Sequence, residues 1–371
     1  MGWREALLTT VGPGLLGGVT FRDWVRLLRE ERFAIAPGCW PRALSITFHS
    51  LQNSLWLRIE RRRHGKRIEE AEIEPPLFVL GHWRSGTTHL HNLLCADSRF
   101  AYPTTYEVSF PHTFLSTESW NSRIAGLVVP ERRPMDNMEI RLGSPQEDEF
   151  ALGAATLLSP CMAWVLPESR ERFEKYLTLR DVPADELDAW RAAFRLFLKK
   201  VAFKNGGRPL VLKSPPHTAR VRLLLEMFPG ARFIHIARHP HAVFQSSRHL
   251  FTVNFDWHRL QRRRLEDLDD WVIRQYREMY DAYFEERSLI PRGRLHEIRF
   301  EDLERDPVGQ LESAYTALDL PDFEAARPAV ESYVKRLAGY RKNTFSELPA
   351  DVRERIAREW RPCFEAWGYA P

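Results

Sequence analysis

The sequence predicts an α/β fold: a P-loop-like parallel β-sheet flanked by helices, with a helical N-terminal extension and helical insertions. Three observations predict it. Leu77-Phe78-Val79-Leu80 and Leu210-Val211-Leu212 are short runs with no polar break, the pattern of strands covered on both faces. Each run is followed by an amphipathic helical segment, the alternation that gives parallel pairing. The first run also ends in a glycine-bearing loop that leads into its helix, the layout of an anion cradle.

Composition bounds the rest. The chain has 371 residues, enough for one large α/β domain or two ordinary ones, and is 44% hydrophobic and 28% charged. Lys plus Arg is 54 against 50 for Asp plus Glu, a net charge of +4, which argues against a nucleic-acid partner while leaving local basic clusters free to grip an anion. The four cysteines (Cys39, Cys95, Cys161, Cys363) have no C-x-x-C pair and no metal-ligand spacing. They read as reduced thiols of a cytoplasmic protein.

From the N-terminus, residues 1–70 read as a helical extension and 71–371 as the main domain. The uncharged stretch Ala6 to Phe21 is interrupted by Gly12-Pro13-Gly14 and Gly17-Gly18, and has neither a basic leader nor a small-residue cleavage site. A helix with Phe21, Trp24, Val25 and Leu28 follows a capping Thr20. From Pro41, suited to opening a helix, Leu44, Phe48, Leu51, Leu55 and Ile59 form one stripe, and Arg61-Arg62-Arg63-His64-Gly65-Lys66-Arg67 comes directly behind it. The expected arrangement packs that stripe on the domain with a solvated basic end. The alternative is peripheral membrane contact, an interfacial helix on anionic lipid. A second uncharged stretch, Phe150 to Leu166, contains Gly153 and Pro160 and falls short of the ~20 apolar residues of a spanning helix. It reads as a buried core helix, and no transmembrane segment is expected.

The first strand ends in Gly81-His82-Trp83-Arg84-Ser85-Gly86-Thr87-Thr88, and Leu90, Leu93 and Leu94 mark the next helix. Gly86 permits a tight turn, the first helical amides point at an anion, Thr87 and Thr88 add hydroxyls, and Arg84 adds a cation. Gly81-x-x-x-x-Gly86 has nucleotide P-loop spacing, but Thr87 stands where that motif requires the lysine that reaches a triphosphate's end. A structural turn with incidental hydroxyls is the plainer alternative.

A second constellation follows the strand Leu210-Val211-Leu212: Lys213-Ser214-Pro215-Pro216-His217, then a helix with Val221, Leu224, Leu225 and Phe228 stopped by Pro229-Gly230. The strand Arg232–Ala237 leads into Arg238-His239-Pro240, with Ser246 eight residues after Arg238, about two turns into a helix. An Arg at a strand tip and a Ser on the following helix can hold one phosphate between them. A kinase or NTPase would place an acidic magnesium ligand at a strand end, whereas these tips carry Arg and Lys.

These residues resemble the sulfotransferase superfamily over roughly residues 75–370. Gly81 to Thr88 is similar to its 5′-phosphosulfate loop, and Arg238-His239-Pro240 through Ser246 to its 3′-phosphate motif. Phe300-Glu301-Asp302-Leu303, after the apolar strand around Ile298, resembles the structural Y-E-D-L element. Gly339-Tyr340-Arg341-Lys342-Asn343 resembles a late basic segment that closes over the donor in many members. Cytosolic members usually carry Lys in the first loop, while tyrosylprotein-type and many bacterial members carry Arg, as here. The resemblance implies a P-loop-like fold and a donor cosubstrate, 3′-phosphoadenosine 5′-phosphosulfate (PAPS), with no metal. It implies that Arg84 and Lys213 stabilise the transferring group, that Ser85, Gly86, Thr87 and Thr88 hold the 5′-phosphate, and that Arg238 and Ser246 recognise the 3′-phosphate. Arg341 and Lys342 would help close over the donor. Glu107, in Tyr102-Pro103-Thr104-Thr105-Tyr106-Glu107, occupies a place like that of the catalytic Glu of tyrosylprotein and heparan-type members. His217 is the runner-up for the base.

Two other classes compete: a P-loop kinase, which magnesium-dependent ATP binding would reveal, and a non-catalytic anion-binding module. The missing loop Lys and the absent acidic strand tip count against the first, and the second does not account for a Lys, an Arg and a phosphate loop all placed at strand ends. The acidic run Glu147-Asp148-Glu149 reads as a solvated face, with acceptor binding as the alternative. The acceptor pocket is expected from residues 101–208 and 248–290. Trp257, Tyr276, Tyr280 and Tyr283 are candidates for its lining, although helical spacing favours core for most of them. A lipid or hydrophobic alcohol fits the amphipathic N-terminus, and a glycan fits the aromatic and acidic content.

Overall fold

The computed structural model describes residues 3–128, 135–136, 138–340 and 342–371. The chain forms two compact units. One comprises Met1–Ile73, Pro103–Gly207 and Phe251–Glu266; the other comprises Glu74–Tyr102, Arg208–Leu250 and Asp267–Pro371. The helices before Ile73 are thus grouped with two later segments, whereas the sequence reading drew its boundary at residue 70 alone.

In chain order the elements are α1 (Trp3–Val11), α2 (Phe21–Glu30), α3 (Trp40–Glu70), β1 (Leu77–Leu80), α4 (Thr87–Leu94), α5 (Thr105–Ser109), α6 (Phe114–Val128), α7 (Asp148–Thr156), α8 (Met162–Val165), α9 (Glu171–Glu174) and α10 (Ala184–Lys204). Then come β2 (Val211–Lys213), α11 (Val221–Met227), β3 (Arg232–Ala237), α12 (Pro240–His258), α13 (Leu268–Glu286), β4 (Leu295–Arg299) and α14 (Phe300–Arg305). The chain closes with α15 (Pro307–Ala317), α16 (Phe323–Arg336), α17 (Ala350–Glu359) and α18 (Arg361–Ala366).

The sheet unit carries four parallel strands in the order β2-β1-β3-β4. Leu77 pairs with Val211 and Arg232, and Ala237 with Arg299, so the strands end in near register. Every residue of β1 is buried, as expected for a parallel strand covered on both faces. Alternation along it sends Leu77 and Val79 into a core with Leu90, Leu94, Ile236, Ile298 and Leu303. Phe78 points the other way, stacked on Phe233 at 5.6 Å between ring centres and edge-on to His217 at 5.4 Å. Because the chain leaves β1 for β2 on one side and then crosses back to β3 on the other, the crevice above the C-terminal end of β1 is a topological switch point.

In the helical unit the capping Thr20 accepts from the Asp23 N–H at the start of α2, and Trp24 and Leu27 are buried. Helix α3 opens at Pro41 and buries Ala43, Ile46, Ser50, Asn53 and Ile68. The stripe expected to pack inward does the reverse: Leu44, Phe48, Leu51 and Leu55 are exposed and Ile59 is half-buried. The stretch 150–166, expected as one helix, is two buried ones, α7 and α8. Leu157 breaks it at φ 66°, with Pro160 just beyond. Glu147, Asp148 and Glu149 are buried at the start of α7, so the solvated face expected there is absent.

Candidate active site

The β1–α4 turn passes twice through left-handed backbone, at Arg84 (φ 71°) and Gly86 (φ 99°), which aims successive amides into a concavity suited to an anion. Arg84 is strained there, while Gly86 is required: a Cβ on it would lie 2.3 Å from Cδ2 of Phe300. The loop is braced from below. The Gly81 N–H donates to Thr218 Oγ1 at 2.7 Å, and the Ser85 hydroxyl donates to the His82 carbonyl at 2.7 Å. Ser85 is therefore buried with its hydroxyl turned into the loop. Burial lowers the His82 imidazole to about 4, so it is neutral near pH 7 and adds no charge to the cradle.

Two further strand ends deliver cations to this turn. Lys213, the last residue of β2, is 1% exposed, and its Nζ lies 3.4 Å from Thr88 Oγ1. Arg238 follows β3 and donates from Nη1 to the Arg84 carbonyl at 2.9 Å, while Arg84 Nε donates to Ser246 Oγ at 2.7 Å. Ser246 lies on α12, so the fold brings the two sequence-distant motifs into direct contact. Burial, and then the neighbouring Arg84 charge, lower the Arg238 guanidinium from its usual range. Like charges gathered out of water are costly, and an anion lying among them relieves that cost.

Helix α14 holds the cluster in place. Phe300 covers Gly86 and lies under the Arg238 guanidinium at 4.5 Å, and Glu301 accepts the His239 N–H at 3.2 Å and the Tyr369 hydroxyl at 2.7 Å. Lys342 pairs with Glu304 at 2.5 Å and stands 5.6 Å from the Phe300 ring, while Arg341 lies outside the described residues. The sequence reading counted Phe-Glu-Asp-Leu as structural but missed that Phe300 shapes the loop; only the clash at Gly86 exposes it. His217 is buried in a 3-10 turn against Phe78, on the face of the sheet opposite Leu77 and Val79. Tyr276, Tyr280 and Tyr283 are likewise core: Tyr276 stacks on Trp360 at 3.6 Å and Tyr283 on His235 at 4.5 Å. Among the described residues no group of three or more His, Cys, Asp or Glu could hold a metal ion.

Glu107 belongs to the helical unit, where it is fully buried in a capping box. Thr104 Oγ1 accepts the Glu107 N–H while Glu107 Oε2 accepts the Thr104 N–H at 2.8 Å; Oε1 accepts from Lys204 Nζ at 2.7 Å. Burial raises its carboxyl above the usual range despite the ammonium beside it. Sequence reasoning did not find Lys204, which lies 97 residues away at the end of α10. The same unit contains a mostly apolar, partly open cavity of about 470 Å³ lined by Trp56, Phe110, Trp120, Leu142, Trp257 and His258, among others. Of the four aromatic candidates for an acceptor pocket, only Trp257 lines it.

The model described as Sulfotransferase family matches residues 75–325. The omega-hydroxy-beta-dihydromenaquinone-9 sulfotransferase Stf3 of Mycobacterium bovis is 39% identical to this chain, covering 99% of it and 93% of the relative, and the Mycobacterium tuberculosis protein of that name matches equally. Among solved structures, sulfotransferase STF9 from Mycobacterium avium aligns with a TM-score of 0.72 at 17% identity, covering 94% of this chain and 92% of that one. Sulfotransferase STF1 from Mycobacterium tuberculosis gives 0.66 at 16%, covering 92% of each. These two similarities concern the fold.

Proposed function

Because the chain belongs to the sulfotransferase family, we propose that it takes PAPS in the cradle formed by Arg84, Gly86, Thr87, Thr88, Lys213, Arg238 and Ser246. We propose further that it moves the sulfo group to the hydroxyl of a hydrophobic lipid alcohol. The observation that carries the donor reading is the meeting of Arg84, Arg238 and Ser246, with Lys213 at Thr88, over a strand-to-helix turn. PAPS supplies an activated sulfo group whose bond to the nucleotide phosphate breaks as the acceptor oxygen bonds to sulfur.

Sulfuryl transfer, by analogy with phosphoryl transfer, passes through a loose transition state that needs positive charge where oxygen charge builds. Lys213 and Arg84 supply it at the transferring group and the bridging oxygen. The amides at the start of α4, with Thr87 and Thr88, hold the 5′-phosphate, and Ser85 acts as the loop's brace rather than a ligand. Arg238 and Ser246 read the 3′-phosphate that distinguishes this donor from plain adenylates. Arg341 and Lys342 belong to the segment that closes over it. Glu107 is the base that takes the acceptor's proton, a role for which a carboxyl held above its usual range is better matched than an ordinary one. The lipid reading draws on the dihydromenaquinone acceptor in the name of the 39% identical relative and on the apolar, aromatic cavity of the helical unit.

Calorimetric titration with 3′-phosphoadenosine 5′-phosphate, with and without magnesium, tests the donor site. Micromolar binding that ignores magnesium is expected, and Arg238→Ala should weaken it about tenfold to a hundredfold, the worth of one charge-assisted hydrogen bond. Equal affinity for 5′-AMP would overturn the assignment of the 3′-phosphate site. Incubation with labelled donor and either a polyprenyl lipid bearing a terminal hydroxyl or an oligosaccharide panel tests the acceptor. Transfer confined to sugars would remove the lipid reading.

A further inference from the structure

We propose that the outer face of α3 docks this protein on an anionic bilayer surface. Trp40, Leu44, Phe48, Leu51 and Leu55 stand 47%, 65%, 60%, 50% and 58% exposed, although the opposite face of the same helix is buried. Soluble proteins scatter exposed apolar side chains singly; a contiguous row along one helix marks a contact surface. At about 100° per residue these five project within roughly a quarter of the helix circumference.

The same face continues into Arg58, Arg62 and Lys66, all exposed. Arg58, Arg62 and the adjacent Arg63 have no hydrogen-bond or ion-pair partner among the described residues, while Lys66 lies 3.9 Å from Glu70. One face of one helix is therefore apolar for roughly four turns and then cationic for two more. An apolar stripe with arginines beside it is the make-up of a helix lying in the headgroup layer, its side chains in the acyl boundary and its cations on lipid phosphates. A second copy of this chain is the poorer occupant, since parallel pairing would set arginines on arginines and antiparallel pairing along the whole helix would set them on the partner's apolar stripe. No helix among the described residues is long and apolar enough to cross a membrane, so the contact lies along the surface.

The rest of the helical unit agrees with this orientation. The Phe21 N–H donates to Ser54 Oγ at 2.9 Å, which sets the exposed start of α2 beside Leu55. His49, Gln52 and Trp56, about a third of a turn around α3 from the stripe, line the apolar cavity, and Trp56 packs against exposed Trp120 at 5.4 Å. A membrane contact along α3 thus brings the cavity's wall to the lipid. The docking does not rest on the lipid-acceptor reading, because vesicle binding is measured with neither donor nor acceptor present.

The test is flotation of the full chain with phosphatidylcholine vesicles, with and without phosphatidylglycerol, alongside light scattering of the protein alone. Wild type should float with the anionic vesicles and release in high salt. Phe48→Asp with Leu51→Asp should lower the partition about tenfold or more, and Arg58→Gln with Arg62→Gln about tenfold, each at an unchanged melting temperature. Titration with 3′-phosphoadenosine 5′-phosphate should give the same affinity for these variants as for wild type, since the substituted side chains are exposed and belong to the helical unit. Wild type that does not float, variants that float as well as wild type, or a dimer that Leu51→Asp dissociates would each overturn the proposal.

Discussion

At the scale of single residues, the most exacting position is Glu107, which serves a helix cap, an ion pair with Lys204 and the proposed chemistry at once. Glu107→Gln separates these duties, because Gln completes a capping box as Glu does but cannot take a proton. The expected outcome is a folded protein with a melting temperature lowered by loss of the Lys204 ion pair, unchanged binding of 3′-phosphoadenosine 5′-phosphate, and a turnover rate lower by about 10²-fold or more. A base works only when deprotonated, so wild-type activity should fall on acidification through the Glu107 pKa. Burial places that pKa above the usual carboxylate range. Lys204 holds it down, and Lys204→Met removes that charge, so the acid limb of kcat/KM should move to higher pH. A rate profile indifferent to both substitutions would return the base assignment to His217. Nothing in the local sequence pointed to Lys204, since a partner supplied from 97 residues away leaves no mark beside Glu107.

At the scale of elements, the parts legible in the sequence are those written in consecutive residues. The apolar runs of β1, β2 and β3, the capping Thr20, the helix start at Pro41 and the glycine turn after β1 each depend on neighbours in the chain, and each lies where it was expected. Helical spacing on α3 said that two faces differ, but not which one the fold would cover. That depends on α1, α2, α6 and α10, which no local pattern encodes. The acidic start of α7 failed for the same reason, since its burial is decided by other elements. The left-handed Arg84 and the wall that Phe300 makes against Gly86 also arise from packing between β1, β3 and α14. That wall gives a prediction about the turn as a unit. Gly86→Ala must place a methyl group 2.3 Å from the Phe300 ring at a φ of 99°, and should cost about 1–3 kcal/mol of stability. Nucleotide affinity should fall with it, measured by calorimetry and denaturant unfolding. The double variant with Phe300→Ala relieves the clash but not the backbone strain, so recovery should be partial; full recovery would show the strain to be of no consequence.

At the scale of the whole molecule, the charge balance of +4 hides a concentration of histidines that cannot be charged in the folded chain. Burial holds His82 and His235 at about 4 in the sheet unit, and His112 and His258 at about 3 in the helical unit. His235 shows why: its ring lies between Tyr283 at 4.5 Å and Trp367 at 5.0 Å, wholly out of water. Its 3.5 Å approach to Glu297 is not an ion pair near neutrality, because the imidazole there is uncharged, and Glu297 instead accepts the Tyr283 hydroxyl at 2.9 Å. The unfolded chain takes up protons at these histidines below about pH 6.5, and the folded chain resists until nearer their lowered values. Stability is therefore fully present above pH 6.5 and drains as pH falls from there towards 4. The raised carboxyls of Glu107 and Asp281 act in the opposite sense, but they are two groups against these four histidines. With a folded value of about 4 against the ordinary 6.5, His235 alone accounts for about 3 kcal/mol between pH 7 and 4. His235→Phe keeps an aromatic ring in the stack and removes the titration. Unfolding free energies of the variant, measured by denaturant between pH 7 and 5, should fall less steeply than those of wild type, by about 1.4 kcal/mol per pH unit in the middle of the window. Parallel slopes for the two proteins would mean that His235 titrates in the fold as it does in the unfolded chain, and a variant that loses stability more steeply than wild type would make the contact with Glu297 a true ion pair.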